Sequence, residues 1–362
     1  MGQISQENRF GICRTFFIRN LQVPSRFFLA PINTGFSKNG VPNQRLIKFH
    51  KDRSGRGIGI SYVGNVAIGE EFVSNNKTII IQKKSFLFKK LASVISENGS
   101  VPGIQLACSI SAVSAQREWI NKNRDKYIER VRQEIVSFKT HDFENIIQKF
   151  VEGTIIARKH GFLVIQIHAA HGYLLSQLMN PFLNRRKDKF SSRSIYIIEK
   201  IVRNIRKHLS DIILDIRLNL YDDLEDKKKE IQHKLNIVDK IVNLDIDLFS
   251  LSQGSYNINK FLIYPSIEEG HCFNLKEAKA FAIKYKQKYW NISGNIWDLN
   301  LLQMGVPYNL TFSIGRSLIA DPFFIIKSLM NKQKDIFYCT RCHRCHYYSR
   351  GYEHFNCPLS KI

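Results

Sequence analysis

The chain has 362 residues, 44% hydrophobic and 12% aromatic, and its 54 Lys and Arg against 31 Asp and Glu give a formal charge of +23. That is apolar material for a large core, as two ordinary domains or one large α/β domain, while the lack of any run of about 18 apolar residues excludes a membrane-spanning helix. The basic residues fall in short scattered clusters such as RNIRKH (203–208) and EDKKKE (225–230), which read as solvated helix faces, so the charge favours acidic ligands without pointing to nucleic acid.

The opening stretch, MGQISQENRFGICRTFFIRN, holds no apolar segment of signal-peptide length. Ser5 falls one place short of the myristoylation pattern that would begin at Gly2. A cytoplasmic setting is therefore expected. Candidate strands follow in order: RFFLAPI (26–32), GIGISYVGN (57–65), VPGIQLAC (101–108), GFLVIQIH (161–168), IILDIRLNL (212–220), IDLFSLSQG (246–254), KYWNISG (288–294) and LTFSIG (310–315). Each is apolar enough to be buried on both faces, as parallel strands are. Helical periodicity fills the intervals, over 143–160, 194–209 and 274–287 among others. Neither a GxGxxG turn nor a phosphate-binding GxxxxGK[ST] loop is present, which argues against a doubly wound sheet. The pattern predicts an α/β chain folded as a (β/α)8 barrel.

In such a barrel the site lies at the C-terminal ends of the strands, and polar residues gather there. The first strand ends in Asn33 and Thr34, the second in Asn65; the third carries Gln105 and the fifth Arg217. The fourth runs into IQIHAAHGYLLSQLMNP (165–181), which places His168, His171 and Tyr173 together. The seventh leads to Ser293, Gly294 and Asn295, the eighth to Gly315 and Arg316. The last two loops are where barrels bind phosphate through backbone N–H groups, with Arg316 adding a charged fork; two ordinary tight turns would look the same. Arg217 in an apolar strand needs an anionic or electron-rich partner, either a buried carboxylate or a ring that accumulates negative charge. Paired imidazoles can donate to one carbonyl oxygen and stabilise an enolate, and Tyr173 can protonate the adjacent carbon. A metal pair or two core histidines are the alternatives.

These residues resemble the signature of the Old Yellow Enzyme family of FMN-dependent oxidoreductases: a histidine pair, Gly-Tyr-Leu, then Asn184, Arg186, Asp188 and Phe190. The likeness extends through FFLAPINTGFSKNGVP (27–42), the third-strand IQL, Arg217 and IGRSLIADP (314–322). It implies a barrel over 1–335 with FMN across its mouth. Ala30, Pro31, Ile32 and Asn33 would wrap the flavin edge, with Asn65 beside it. Gln105 and Arg217 would meet the pyrimidine end, and Gly294, Asn295, Gly315 and Arg316 would hold the phosphate. His168 and His171 would bind the substrate carbonyl, with Tyr173 as acid. The chain departs from the pattern after Gln105, where Cys108, Ile110 and Ser111 stand, in the short FSSRS (190–194), and in the lack of an acidic residue after the second strand.

The segment 336–362 carries Cys339, Cys342, Cys345 and Cys357 as C-x2-C-x2-C-x11-C. The spacing suits a 4Fe–4S cube better than two zinc knuckles, and free thiols are the third option. It is similar to the iron–sulfur branch of the family, the dienoyl-CoA reductase and trimethylamine dehydrogenase type, whose additional FAD-bearing domain is expected to be absent. Cys13, Cys108 and Cys272 stand alone and read as buried small hydrophobes. The expected activity is reduction of an enone, enal or enoyl thioester, with NAD(P)H or a protein electron donor as reductant. Two other readings stand beside it: an amine or demethylating dehydrogenase using FMN and the cluster, and a degenerate basic barrel that only binds.

Overall fold

The computed structural model describes residues 14–110, 123–302 and 306–360. Cys13, Ser111 and most of the N-terminal stretch lie outside the described residues. The eight apolar runs form β1 (Phe27–Ile32), β2 (Ile60–Ala67), β3 (Val101–Ala107), β4 (Val164–Ala169), β5 (Ile213–Asn219), β6 (Leu248–Ser252), β7 (Tyr289–Ser293) and β8 (Leu310–Ile314). Each pairs in parallel with its neighbours, and β8 pairs with β1 to close the ring. With helices between them this is a (β/α)8 barrel, as the alternation of buried runs and amphipathic stretches requires.

The helices bury one stripe each. In Tyr196–His208 the stripe is Ile197, Ile198, Ile201, Val202 and Ile205, and Arg206, Lys207 and His208 fill the last turn, where cations suit the helix dipole. The two basic clusters are less solvated than their composition suggests. Arg206 reaches the Ile212 carbonyl at 3.0 Å and Asp247 at 2.6 Å. Glu230 is buried and accepts the backbone N–H groups of Asp222 and Leu224. The lysines between them, 227–229, do face solvent.

Below the site the barrel is plugged. A hairpin of Phe16–Ile18 and Leu21–Val23 closes the bottom, and Ile18 and Val23 pack with Phe28, Ile60, Tyr62, Val164, Ile213 and Leu248 inside the ring. Above that apolar plug lies a polar layer. The buried Asp215 carboxylate accepts from Tyr62 Oη at 2.7 Å, from Gln166 Nε2, and from Ser250 Oγ at 2.9 Å. Burial outweighs these bonds and pushes its carboxyl up to about 6.

β2 runs on to Ala67, so Asn65 lies within the strand and not at its end. The β2–β3 register shifts between Val63 and Val66, and such an irregularity re-aims a side chain out of the regular pleat. Asn65 thus reaches the cleft above. The segment after β4 is held by its own motif. Asn184 Nδ2 donates to the Leu178 and Phe190 carbonyls, both at 2.8 Å. Arg186 donates to the Ile135 and Phe138 carbonyls and pairs with Asp188. The N-x-R-x-D-x-aromatic run is therefore a clamp on the fold, away from the strand ends.

Candidate active site

Above the polar layer, the C-terminal strand ends and their loops form a cleft lined by Ala30, Pro31, Ile32, Asn33, Asn65, Gln105, His168, His171, Tyr173, Arg217, Gly294, Asn295, Gly315 and Arg316. Of the strand-end residues named from the sequence, all but Thr34 line this one space.

His168 and Arg217 are cross-strand partners on β4 and β5. Burial first, then the Arg217 charge, holds both His168 and His171 well below the ordinary imidazole range, so both are neutral at pH 7. The rings stand edge to face, 5.1 Å apart, and the Tyr173 ring lies 4.5 Å from His168. Arg217 Nη2 donates to Ser293 Oγ at 2.8 Å and to Ser252 Oγ at 3.3 Å. Ser252 Oγ also lies within hydrogen-bond distance of His171 Nε2, at 2.7 Å. Asn65 Nδ2 donates to Tyr173 Oη at 2.9 Å, a contact in which the phenol oxygen is the acceptor.

At the other end, Asn295 Nδ2 is spent on the Ser266 and Gly270 carbonyls, at 2.8 and 2.7 Å, and its Oδ1 accepts from Arg316 Nη2 at 3.2 Å. Gly294 has φ +142°, and a Cβ there would meet the Phe273 ring at 2.8 Å. Gly315 is different: a Cβ would find no protein atom nearer than Ala30 Cβ at 3.9 Å and would occupy the cleft. Gln105 Nε2 donates to Gln166 Oε1 at 2.5 Å, which ties the cleft floor to the Asp215 layer.

Among the described residues, four buried polar atoms of cleft-lining side chains have no partner: His168 Nδ1, Arg217 Nε, Arg316 Nη1 and Arg341 Nε. Orphans of this kind are costly unless a ligand answers them. Their order along the cleft, imidazole, strand guanidinium, loop guanidinium groups, together with the open cradle at Gly315, fits a polar heterocycle carrying an anion at one end. The residues present fit a flavin mononucleotide.

The cysteine tail folds back over the barrel. The Phe355 N–H donates to the Thr34 carbonyl at 2.9 Å, and Tyr347 Oη donates to Asn33 Oδ1 at 3.0 Å. Asn33 Nδ2 in turn meets Asn65 Oδ1 at 3.1 Å, so a hydrogen-bonded chain runs from the tail to Tyr173. Cys339, Cys342, Cys345 and Cys357 line one adjoining small cavity, with Arg316 and His343, and Cys345 reaches the main cleft as well. Among the described residues no three His, Cys, Asp or Glu side chains stand close enough to hold a single metal ion. Burial, with Cys339 beside it, pushes the Cys345 thiol up to about 12. Cys108 and Cys272 are buried, as expected, and their thiols are pushed up by burial.

Several lining residues carry no local signal. Ser252 ends an ordinary strand. Tyr256 and Tyr264, whose hydroxyls meet at 2.6 Å, lie on the irregular loop after β6. Arg341 is hidden inside the cysteine run.

The sequence model described as the NADH:flavin oxidoreductase / NADH oxidase family matches residues 15–335. An NADH oxidase of Thermoanaerobacter brockii is 24% identical over 373 residues, 90% of this chain and 52% of the relative. The chain thus spans about half the length of that relative. A 2-naphthoyl-CoA reductase solved with 2-naphthoyl-CoA superposes at a TM-score of 0.78 with 18% identity, covering 97% of this chain and 57% of the other. The Old Yellow Enzyme of Pichia sp. AKU4542 does so at 0.69 with 12% identity, over 89% and 87%. Both share the fold. Among the described residues no helix is long and apolar enough to cross a membrane.

Proposed function

The chain belongs to the NADH:flavin oxidoreductase / NADH oxidase family, and on that premise we propose that it reduces an activated C=C bond, in an enone, enal or enoyl thioester, with FMN in the cleft and NAD(P)H as reductant. The observation that carries this reading is the neutral His168–His171 pair set beside Tyr173 and under the Arg217 charge. FMN held in the cleft would supply hydride chemistry to the β-carbon. His168 and His171 give the substrate carbonyl oxygen neutral N–H donors, which grow in worth as that oxygen gains charge. Ser252, itself held by Arg217, orients the His171 ring through Nε2. Tyr173, its oxygen held by Asn65, gives the proton to the α-carbon. Arg217, whose Nε has no partner among the described residues, would meet the electron-rich end of the flavin ring. Gly294, Asn295, Gly315 and Arg316 hold the phosphate.

Residues 1–335 are taken as the flavin barrel and 336–362 as a segment that caps it. The four thiols around one cavity support a cluster site, since a 4Fe–4S cube spaces its thiolates more widely than a single ion does. In that case a protein donor delivering single electrons replaces NAD(P)H. The 2-naphthoyl-CoA reductase of the same fold favours thioesters among the candidate substrates.

An anaerobic absorption spectrum of the purified protein, with iron and acid-labile sulfide assayed on the same sample, tests this. Flavin bands that bleach with NAD(P)H and recover with cyclohexenone are expected. Bands that bleach with an amine and do not recover with an enone would replace the reading with an amine dehydrogenase. A colourless protein that takes up no FMN on reconstitution leaves a binding barrel.

Gly315→Ala is a direct check on the cradle. The added methyl meets no protein atom closely, so the melting temperature of the apo-protein is expected to hold. FMN affinity is expected to fall roughly tenfold, read by quenching of flavin fluorescence. Unchanged affinity would move the nucleotide elsewhere.

A further inference from the structure

Arg316 and Arg341 stand together at the end of the cleft, and no carboxylate answers them. Arg316 spends Nη2 on Asn295 Oδ1, and its buried Nη1 has no partner. Arg341 comes from the tail, between Cys339 and Cys342, and its buried Nε has no partner either. Among the described residues neither guanidinium forms an ion pair. They sense each other: burial first, then the Arg341 charge, lowers the hold of Arg316 on its proton. Two like charges, partly buried and uncompensated, cost free energy that an anion between them would recover.

The direction of Arg341 tells which anion. Its neighbours Cys339, Thr340 and Cys342 line the cysteine cavity, but Arg341 does not; it lines the main cleft. Its left-handed backbone, φ +57°, turns it away from the thiols beside it in sequence. We propose that Arg341 and Arg316 form a two-armed clamp for the phosphate of the flavin nucleotide, so that the cysteine tail, and not the barrel alone, retains the cofactor. This rests on the FMN reading above. Two guanidinium forks, one from the short helix Arg316–Ala320 after β8 and one from the tail, match the several oxygens of a dianionic phosphate. Any event that unseats the tail, such as loss of whatever its thiols bind, then loosens the nucleotide as well.

The test compares FMN with riboflavin, which lacks the phosphate, by fluorescence titration of apo-protein. Arg341→Gln is expected to weaken FMN by roughly 10- to 100-fold and leave riboflavin binding unchanged. Arg341→Lys, which keeps the charge without the fork, is expected to recover part of the loss. Equal weakening of both flavins would make Arg341 a structural residue and overturn the proposal. So would unchanged FMN affinity with an altered iron content, which would make Arg341 a counter-charge to the thiolates. A third outcome also overturns it: FMN affinity unchanged while inhibition of the holoenzyme by inorganic pyrophosphate is lost, which assigns the clamp to a phosphorylated substrate. If the unmodified protein binds neither flavin, the FMN reading fails first.

Discussion

Tyr173→Phe is expected to slow substrate reduction by roughly 10²–10⁴ while reduction of the protein by NAD(P)H keeps its rate. The phenol oxygen takes a hydrogen bond from Asn65 Nδ2 at 2.9 Å, so the hydroxyl hydrogen is not consumed by that contact. The ring is buried, packed 4.5 Å from His168, and phenylalanine fills the same space. Fold and cofactor affinity are therefore expected to hold, and Asn65 keeps a weaker outlet to Ser74 Oγ at 3.4 Å. Only a step that needs a proton is expected to suffer. Stopped-flow measurement of the two half-reactions separates the cases. Equal slowing of both would give Tyr173 a cofactor-positioning role, and no slowing would assign the proton to another donor. An unchanged affinity for a phenolic inhibitor would support the acid role further, since ligand binding rests on the imidazoles.

Asp215→Ala is expected to destabilise the barrel by about 3–5 kcal/mol. The carboxylate is the shared acceptor of Tyr62, Gln166 and Ser250, and its removal strips the buried Tyr62 and Ser250 hydroxyls of their acceptor and leaves Gln166 Nε2 only Ser250 Oγ at 3.1 Å. Asp215→Asn keeps an acceptor oxygen, and Tyr62 and Ser250 can rotate their hydroxyls toward it, so a smaller loss is expected. The two variants also differ in pH response. Burial raises the Asp215 carboxyl from 3.8 to about 6 in the folded protein. Between those values the folded state holds a proton that the unfolded chain has released. Stability therefore falls as pH rises from about 4 to about 6, by about 3 kcal/mol, and this contribution is flat above that window. Urea denaturation across the range is expected to show the slope in the unmodified protein and to lose it in Asp215→Asn. A slope that survives the substitution would place the titration on another group.

The architecture was legible because buried parallel strands read as continuous apolar runs, and each of the eight lies within a few residues of its predicted bounds. The cleft was legible for a second reason. His168, His171 and Tyr173 follow one strand within six residues, and Arg217 declares itself by the cost of a charge in an apolar strand. The N-x-R-x-D-x-aromatic run was visible as a motif, but its work was not. Asn184 and Arg186 turn out to bond backbone carbonyls of distant segments, and nothing in their spacing says that.

What the amino-acid order determined by itself is periodicity and local cost: where strands and helices lie, and which polar groups need a partner. Those follow from side-chain burial over a few residues. Only the closed barrel decided who the partners are. His171 meets Ser252 across 81 positions, Tyr347 meets Asn33 across 314, and Arg341 reaches the cleft although both flanking cysteines line another cavity. Such contacts form when strand closure brings remote loops to one rim, and local composition is blind to them. The same closure buried Glu230 and engaged Arg206, two residues of clusters that composition alone reads as solvent-facing.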